Sequence, residues 1–345
     1  MSRIGTVNIR DVAQAAGVSP MTVSRVLNGG ARVAPATREQ VLAEVERLGY
    51  RINPLVQAYT TQIRGSQDRT AGAGCNLAFV VSDPDHTLPR HLWLLPYLRG
   101  AQARAAELGY GLDTDLNLAG LTDREVLRQL TARGVRGLLI PLFVFVGRDL
   151  PQYDGMAMTG IGETRDSDWM HRVNPEYFLN VQLALAALRE RGYKRIGFCL
   201  TLNSIYTNHG QELGGFLEYT KLEQPEACVR HCVMKDVTQP QQVEIFLEWI
   251  RKEQPDVVLT TFYQALHWLR DAGYNVPGDI GIAHLGLTDD TRNWSGVDYR
   301  AEAIGSAAVD LLTAHIVRNE FGIPAIPKRM RIPGIWRDGE TARVG

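Results

Sequence analysis

The sequence predicts a two-part molecule, a small all-α helix-turn-helix head followed by a larger α/β body built of two linked halves. Three observations carry this. At 345 residues the chain exceeds what one hydrophobic core ordinarily holds. Two short helical patterns with apolar faces lie only two residues apart near the N-terminus. From residue 75 onward, short apolar runs alternate with helical periods, as in a parallel α/β sheet.

Charge divides along the same line. Residues 1 to 64 hold eight Arg, no Lys and four acidic residues, a net charge of +4; the remainder has 29 basic and 34 acidic residues, a net charge of -5. A basic head on an acidic body suits a polyanion-binding module joined to a domain with a different task. At 45% hydrophobic and 22% charged residues, the composition is that of an ordinary globular protein. No run approaches the roughly 20 apolar residues of a membrane span, and the N-terminus lacks a secretory apolar stretch, so a cytoplasmic location is expected. Cys75, Cys199, Cys228 and Cys232 are too scattered for a disulfide framework.

In the head, Asn8 is placed as the N-cap of a first helix, with Asp11 in its positive first turn. Val12, Ala13 and Ala16 form its apolar face, and Gly17 ends it. Ser19 then caps a second helix that opens with Pro20, where a missing N–H costs nothing, and continues its apolar face through Val23, Val26 and Leu27. So short a connection forces a steep crossing. A third helix is expected over 35–48, with Val41, Leu42, Val45 and Leu48 inward and Gly49 as its stop. Pro20, Met21, Thr22, Ser24 and Arg25 point away from the second helix's apolar stripe, near its N-terminus, where a recognition helix meets base edges.

From Asn8 to Tyr50 the run NIRDVAQAAGVSPMTVSRVLNGGARVAPATREQVLAEVERLGY closely resembles the lactose, galactose and purine repressor family of bacterial transcription regulators. The resemblance implies a homodimer on a palindromic double-stranded DNA operator, with base reading by Pro20, Met21 and Arg25. Asn8, Ser19, Thr22, Ser24 and Asn28 fall at phosphate or orienting positions. Arg25 is suited to a guanine, while Pro20 and Met21 offer only apolar contact, for example to thymine methyls. One departure is Ala34, which stands where a Ser or Thr would cap the third helix.

The same resemblance places a hinge helix after the head (53–64, within RINPLVQAYTTQIRG), a segment that wedges a Leu into the minor groove. Here Tyr59 replaces that Leu. Either Tyr59 inserts, or Leu55 or Val56 makes the groove contact; Asn53 opens the segment. GSQDRTAGAG then reads as a flexible linker, giving a head over 1–52, a hinge over 53–64, a linker over 65–75 and a body over 76–345.

In the body, strands are expected at 77–81, 112–115, 137–140, 156–159, 195–200, 257–260 and 281–285. Helices are expected at 92–108, 123–133, 175–191, 239–253, 263–272 and 300–317. YKRIGF, VPGDIGIAHLGL and AIGSAAVDLL loosely resemble the same family's effector domain, itself similar to periplasmic sugar-binding proteins. That implies two α/β subdomains, roughly 76–173 with 298–324 and 174–297 with 325–337, and a small-molecule effector between them at the strand ends. The family's sugar anchors are altered: Glu212 stands where an Arg is usual, Thr261 and Phe262 where Asn-Asp is usual, and Gly286 where an Asp is usual. Pocket candidates are Asp83, Asp85, His86, Glu163, Tyr206, His209, Glu212, Thr261 and Phe262, and their carboxylates, with Arg scarce, predict a cationic or hydroxyl-rich ligand. Two other readings stay open: a constitutive DNA binder with a dead pocket, and a solute-sensing protein with a vestigial head.

No Gly-rich phosphate loop, GxSxG elbow or HExxH is present, so no enzyme, cofactor or metal is expected. CVRHC (228–232) is read as strand, with both Cys on one face and His231 on the other, rather than as a zinc site.

Overall fold

The computed structural model describes residues 9–27, 33–48, 50, 76–80, 93–114, 121–142, 155–164, 167–222 and 229–344. The chain divides into two compact units, within 1–70 and 71–345. The hinge and linker expectations, including Asn53, Leu55, Val56 and Tyr59, lie outside the described residues, as do Asn8, Asn28 and Gly49.

The described residues of the head form α1 (Ile9–Ala15), α2 (Pro20–Leu27) and α3 (Pro35–Leu48). Gly17 is left-handed, with φ +60°, and the Ser19 hydroxyl accepts the Thr22 N–H at 3.1 Å, so the stop and start signals act as the sequence predicts. Val12, Ala13, Ala16, Val23, Val26 and Val41 are buried at the centre. Leu42 corrects the expectation: it is 46% exposed. Val41, Val45 and Leu48 follow the i, i+4, i+7 stripe, and Leu42 is turned off it.

The body holds two six-stranded sheets. The first contains β1 (Asn76–Phe79), β2 (Gly111–Asp113), β3 (Val135–Pro141), β4 (Ala157–Ile161) and β5 (His171–Pro175), with helices α4 (Leu95–Glu107) and α5 (Asp123–Ala132) between them. The second contains β6 (Ile196–Thr201), β7 (Cys232–Met234), β8 (Val257–Thr260), β9 (Gly281–Leu285) and β10 (Gly296–Asp298). Its helices are α6 (Tyr177–Glu190), α7 (Leu202–Thr207), α8 (Gln211–Leu222), α9 (Gln241–Glu253) and α10 (Gln264–Asp271). After β10 come α11 (Ala301–Arg318), β11 (Arg329–Ile332) and β12 (Ile335–Arg337). The strand orders are β2-β1-β3-β4-β5-β11 and β7-β6-β8-β9-β10-β12, parallel except for the antiparallel β10–β12 pair. Both halves are thus doubly wound, which puts a crevice at the carboxyl ends of their strands.

Among the described residues the chain crosses between lobes from β5 to α6, from β10 to α11, and from β11 to β12. The last crossing corrects a boundary. Residues 329–332 pair in parallel with β5 in the first sheet, so the expected assignment of 325–337 to the second lobe holds only from β12. CVRHC is corrected too: the strand starts at Cys232, and Val229 to His231 precede it, while Cys228 lies outside the described residues.

Strand β5 was not anticipated because its sequence, HRVNP, is polar, yet all five residues are buried. Helix α11 runs across the first lobe against α4 with backbone contact. A Cβ on Gly305 would stand 2.0 Å from the Tyr97 carbonyl oxygen, and one on Gly100 would stand 1.9 Å from that of Glu302, so only glycine fits at either crossing point. No described helix is long and apolar enough to cross a membrane.

Candidate functional site

The first candidate surface is the outer face of α2. Capping by Ser19, whose hydroxyl also lies 2.9 Å from that of Thr22, fixes the first turn. Val23 and Val26 tie the opposite side into the core. That leaves Pro20, Met21 (64% exposed) and Arg25 outward, with Thr22 and Ser24 half-buried beside them. The helix carries no acidic residue. The arrangement is a short helical ridge with one cation, Arg25, and no acid, as suits a helix that meets DNA.

The second candidate is a cavity of about 1270 Å³ between the two lobes. Its first-lobe wall includes Trp93, Tyr97, Arg99 and the opening turn of α11; its second-lobe wall includes Asn208, Glu212, Thr261, Phe262, His284 and Trp294. Tyr177 and Tyr299, at two of the crossings, complete the lining, with rings 6.0 Å apart and nearly perpendicular. The lining mixes aromatic rings with many polar and charged side chains, and the space is ample for a small polar molecule.

Glu212 is 3% exposed. Its Oε1 accepts the Tyr299 hydroxyl at 2.6 Å, and its Oε2 has no hydrogen-bond partner. Burial pushes the carboxyl up to about 7, against smaller opposing pulls from Tyr299 and the Asn208 amide. Asn208 Oδ1 and His284 Nδ1 are likewise buried without partners. Burial pushes the His284 imidazole down to about 4. The Tyr299 ring also lies on Gly286 (φ +83°): a Cβ there would meet it at 3.2 Å. Two altered anchors, Glu212 and Gly286, are therefore joined by Tyr299, which the sequence reading missed because nothing in VDYR marks the tyrosine as facing a helix far earlier in the chain.

Of the nominated pocket residues, Glu212, Thr261 and Phe262 line the cavity. Asp83, Asp85 and His86 lie outside the described residues. The other three are corrections: Glu163, Tyr206 and His209 are absent from the described lining. Tyr206 is 42% exposed on α7. Glu163 is fully buried elsewhere, taking Arg172 Nη2 at 3.2 Å on one oxygen and Asn174 Nδ2 at 3.0 Å and Gln211 Nε2 at 3.1 Å on the other. His209 Nε2 lies 3.2 Å from the Thr164 carbonyl oxygen beside it. Glu163, Asp168 and His209 are close enough together to hold a metal, but Arg172 and Arg329 already neutralise both carboxylates. Nor is arginine scarce: Arg99, Arg270, Arg292, Arg300 and Arg337 stand on the lining. Arg99 pairs with Asp289 and Glu302, and Arg337 with Asp298.

Residues 8–53 match the family model for bacterial regulatory proteins, lacI family, and residues 185–339 match that for a periplasmic binding protein-like domain. Catabolite control protein A of Priestia megaterium is 25% identical over 94% of this chain and 97% of its own length. The transcriptional regulator GalS of Salmonella typhimurium is 56% identical over 57 residues, 16% of this chain and 17% of its own. Among solved structures, the regulator CelR in complex with cellobiose shares the fold at a TM-score of 0.59 and 20% identity, covering 97% of this chain and 99% of that one. The lac repressor dimer bound to operator and the anti-inducer ONPF does so at 0.56 and 19%, covering 99% and 100%.

A helix-turn-helix head and a two-lobed α/β body with a ligand-sized cavity define a DNA-binding transcription regulator with an effector-binding domain. The head carries the helix-turn-helix of the lacI family of bacterial regulatory proteins, and residues 185–339 of the body form a periplasmic binding protein-like domain.

Proposed function

We propose that this regulator is a cytoplasmic, homodimeric repressor that reads a palindromic operator through α2 and releases or grips it according to occupancy of the interlobe cavity. The outward set Pro20, Met21 and Arg25 on a capped, acid-free helix supports base reading. Arg25 serves as a bidentate donor to guanine, and the other two supply apolar contact. Ser19, Thr22 and Ser24 orient the helix on phosphates.

The observation that favours a live pocket over a dead one is the trio of buried, unpartnered polar atoms on its lining, Glu212 Oε2, Asn208 Oδ1 and His284 Nδ1. Groups buried without partners cost free energy that a fitting ligand returns. Such a ligand prefers one lobe arrangement, and the coupling to DNA is worth about 1–3 kcal/mol.

The test begins with selection of bound sequences from random DNA by the full-length protein. A two-fold-symmetric site is the expected product, with affinity for it changed roughly 5- to 150-fold by an effector found in a metabolite screen. Selection of an asymmetric or featureless sequence set contradicts the dimeric, base-reading account.

A further inference from the structure

We propose that the interlobe cavity takes a small organic ammonium ion, seated against the bare oxygen of Glu212 and boxed by Tyr97, Tyr177 and Tyr299. The inference rests on the reading of this cavity as the effector site and names the chemistry of its ligand.

Glu212, in the first turn of α8, and Asn208, four residues earlier at the end of α7, are each at most 3% exposed, and each carries a covered acceptor oxygen with no partner beside the cavity. Two bare acceptors at one wall call for a ligand rich in donors or positive charge. None of the described arginines forms an ion pair with Glu212; Arg99 and Arg337 are held by Asp289, Glu302 and Asp298. Tyrosine rings stand near the carboxyl, Tyr299 reaching it through its hydroxyl. Tyr177 and Tyr299 meet edge to face at 6.0 Å, and Tyr97 lines the same cavity. A carboxyl and tyrosine rings lining one cavity suit alkylated or primary ammonium groups, whose charge ring quadrupoles attract. An anion placed there meets a bare carboxyl oxygen.

Among the titratable groups, Tyr299 from the segment after β10 bonds Glu212 directly; Tyr177 from α6 feels both Glu212 and the arginine-paired Glu163, and Tyr97 from α4 lies beyond it beside Asp298. All three phenols are pushed up by burial, so they stay neutral. The carboxyl of the empty site is held up to about 7 by burial. An incoming ammonium favours the carboxylate, so below that value Glu212 gives one proton to solvent as the ion pair forms. Above it the site is already ionised and no proton moves. Affinity for the cation therefore falls by up to about tenfold per pH unit below 7 and levels off above 8.

The experiment is titration calorimetry of the full-length protein with choline, putrescine, glucose and gluconate at pH 6, 7 and 8, in two buffers of different ionisation enthalpy. Operator affinity is measured alongside. Binding of choline or putrescine, with buffer-dependent proton release at pH 6 that disappears by pH 8, is the expected result. Glu212→Gln keeps an acceptor for Tyr299 and should lower ammonium affinity at least tenfold while abolishing the proton release. The pH profile of the unaltered protein stands as evidence even if that variant folds poorly. Binding of glucose or gluconate without the ammonium probes overturns the ligand class and leaves the effector reading in place. Ammonium binding without proton release, or unchanged by Glu212→Gln, also overturns the proposal. Ammonium binding that leaves operator affinity untouched supports it and counts against the effector reading, and silence of all four probes counts against both.

Discussion

His171 of β5 and His315 of α11 stack face to face, ring centroids 3.9 Å apart and 8° from parallel, both nearly inaccessible to solvent. Burial pushes His171 down to about 4 and lowers His315 as well, with Glu320 partly opposing the latter. His284 is also held near 4 by burial. The folded body therefore keeps these rings neutral where an unfolded chain, with pKa near 6.5, takes up protons. Above about 6.5 neither state binds them, and the contribution of these rings to stability is complete. As pH falls toward 4, that contribution is lost. Urea unfolding at pH 7.5 and pH 5 should show a lower midpoint at pH 5, with the difference reduced in His171→Asn. The Glu212 carboxyl, held up to about 7, shifts stability the opposite way over this interval, so the comparison of the two proteins is the test: an identical pH dependence in both contradicts the stacked neutral pair.

Arg172 lies fully buried against Glu163, and Asp168 shares its Nη2. Removing the guanidinium strands a buried carboxylate, at a cost of about 3–5 kcal/mol. Arg172→Met should therefore unfold at much lower denaturant, and Arg172→Met with Glu163→Leu should recover a substantial part. A double variant no better than the single one shows that the pair is not coupled as described.

Gly305→Ala places a methyl group 2.0 Å from the Tyr97 carbonyl oxygen, which α4 cannot yield without leaving α11. Destabilisation of about 1–3 kcal/mol or more is expected from thermal or denaturant melts of the body. An unchanged melt rules out the backbone contact.

Helix α3 begins after Ala34, which has no side-chain oxygen to offer its first turn. Ala34→Ser should stabilise the head by about 1 kcal/mol, and Ser19→Ala should weaken it by about the same amount by removing the acceptor for Thr22 N–H. Hydrogen exchange of the α2 and α3 amides separates the two effects. Faster exchange in Ala34→Ser contradicts the capping argument.

The head was legible almost entirely because its signals are local: Gly17, Ser19 and Pro20 act within one turn of themselves. The apolar strands of the body were legible for the same reason. Strand β5 was not, because Arg172 and Asn174 are tolerable in a core only once Glu163, nine or more residues earlier, supplies their partner. Glu163 itself looked like a pocket acid until that partner was in view. Tyr299 carries no local mark at all; its meaning comes from a hydrogen bond to Glu212, 87 residues away. Helix α8 was obscured by Gly214 and Gly215, poor helix formers, the second of which is buried against α6.

The central claim, that α2 reads bases, is tested most directly by measuring the sequence preference of Arg25→Ala against the unaltered protein on a library of operator variants. The account predicts that preference relaxes at one base position in each half-site, by about 1–3 kcal/mol, while preference elsewhere is retained. Uniform weakening across all sequences, with the preference at every position intact, would contradict it.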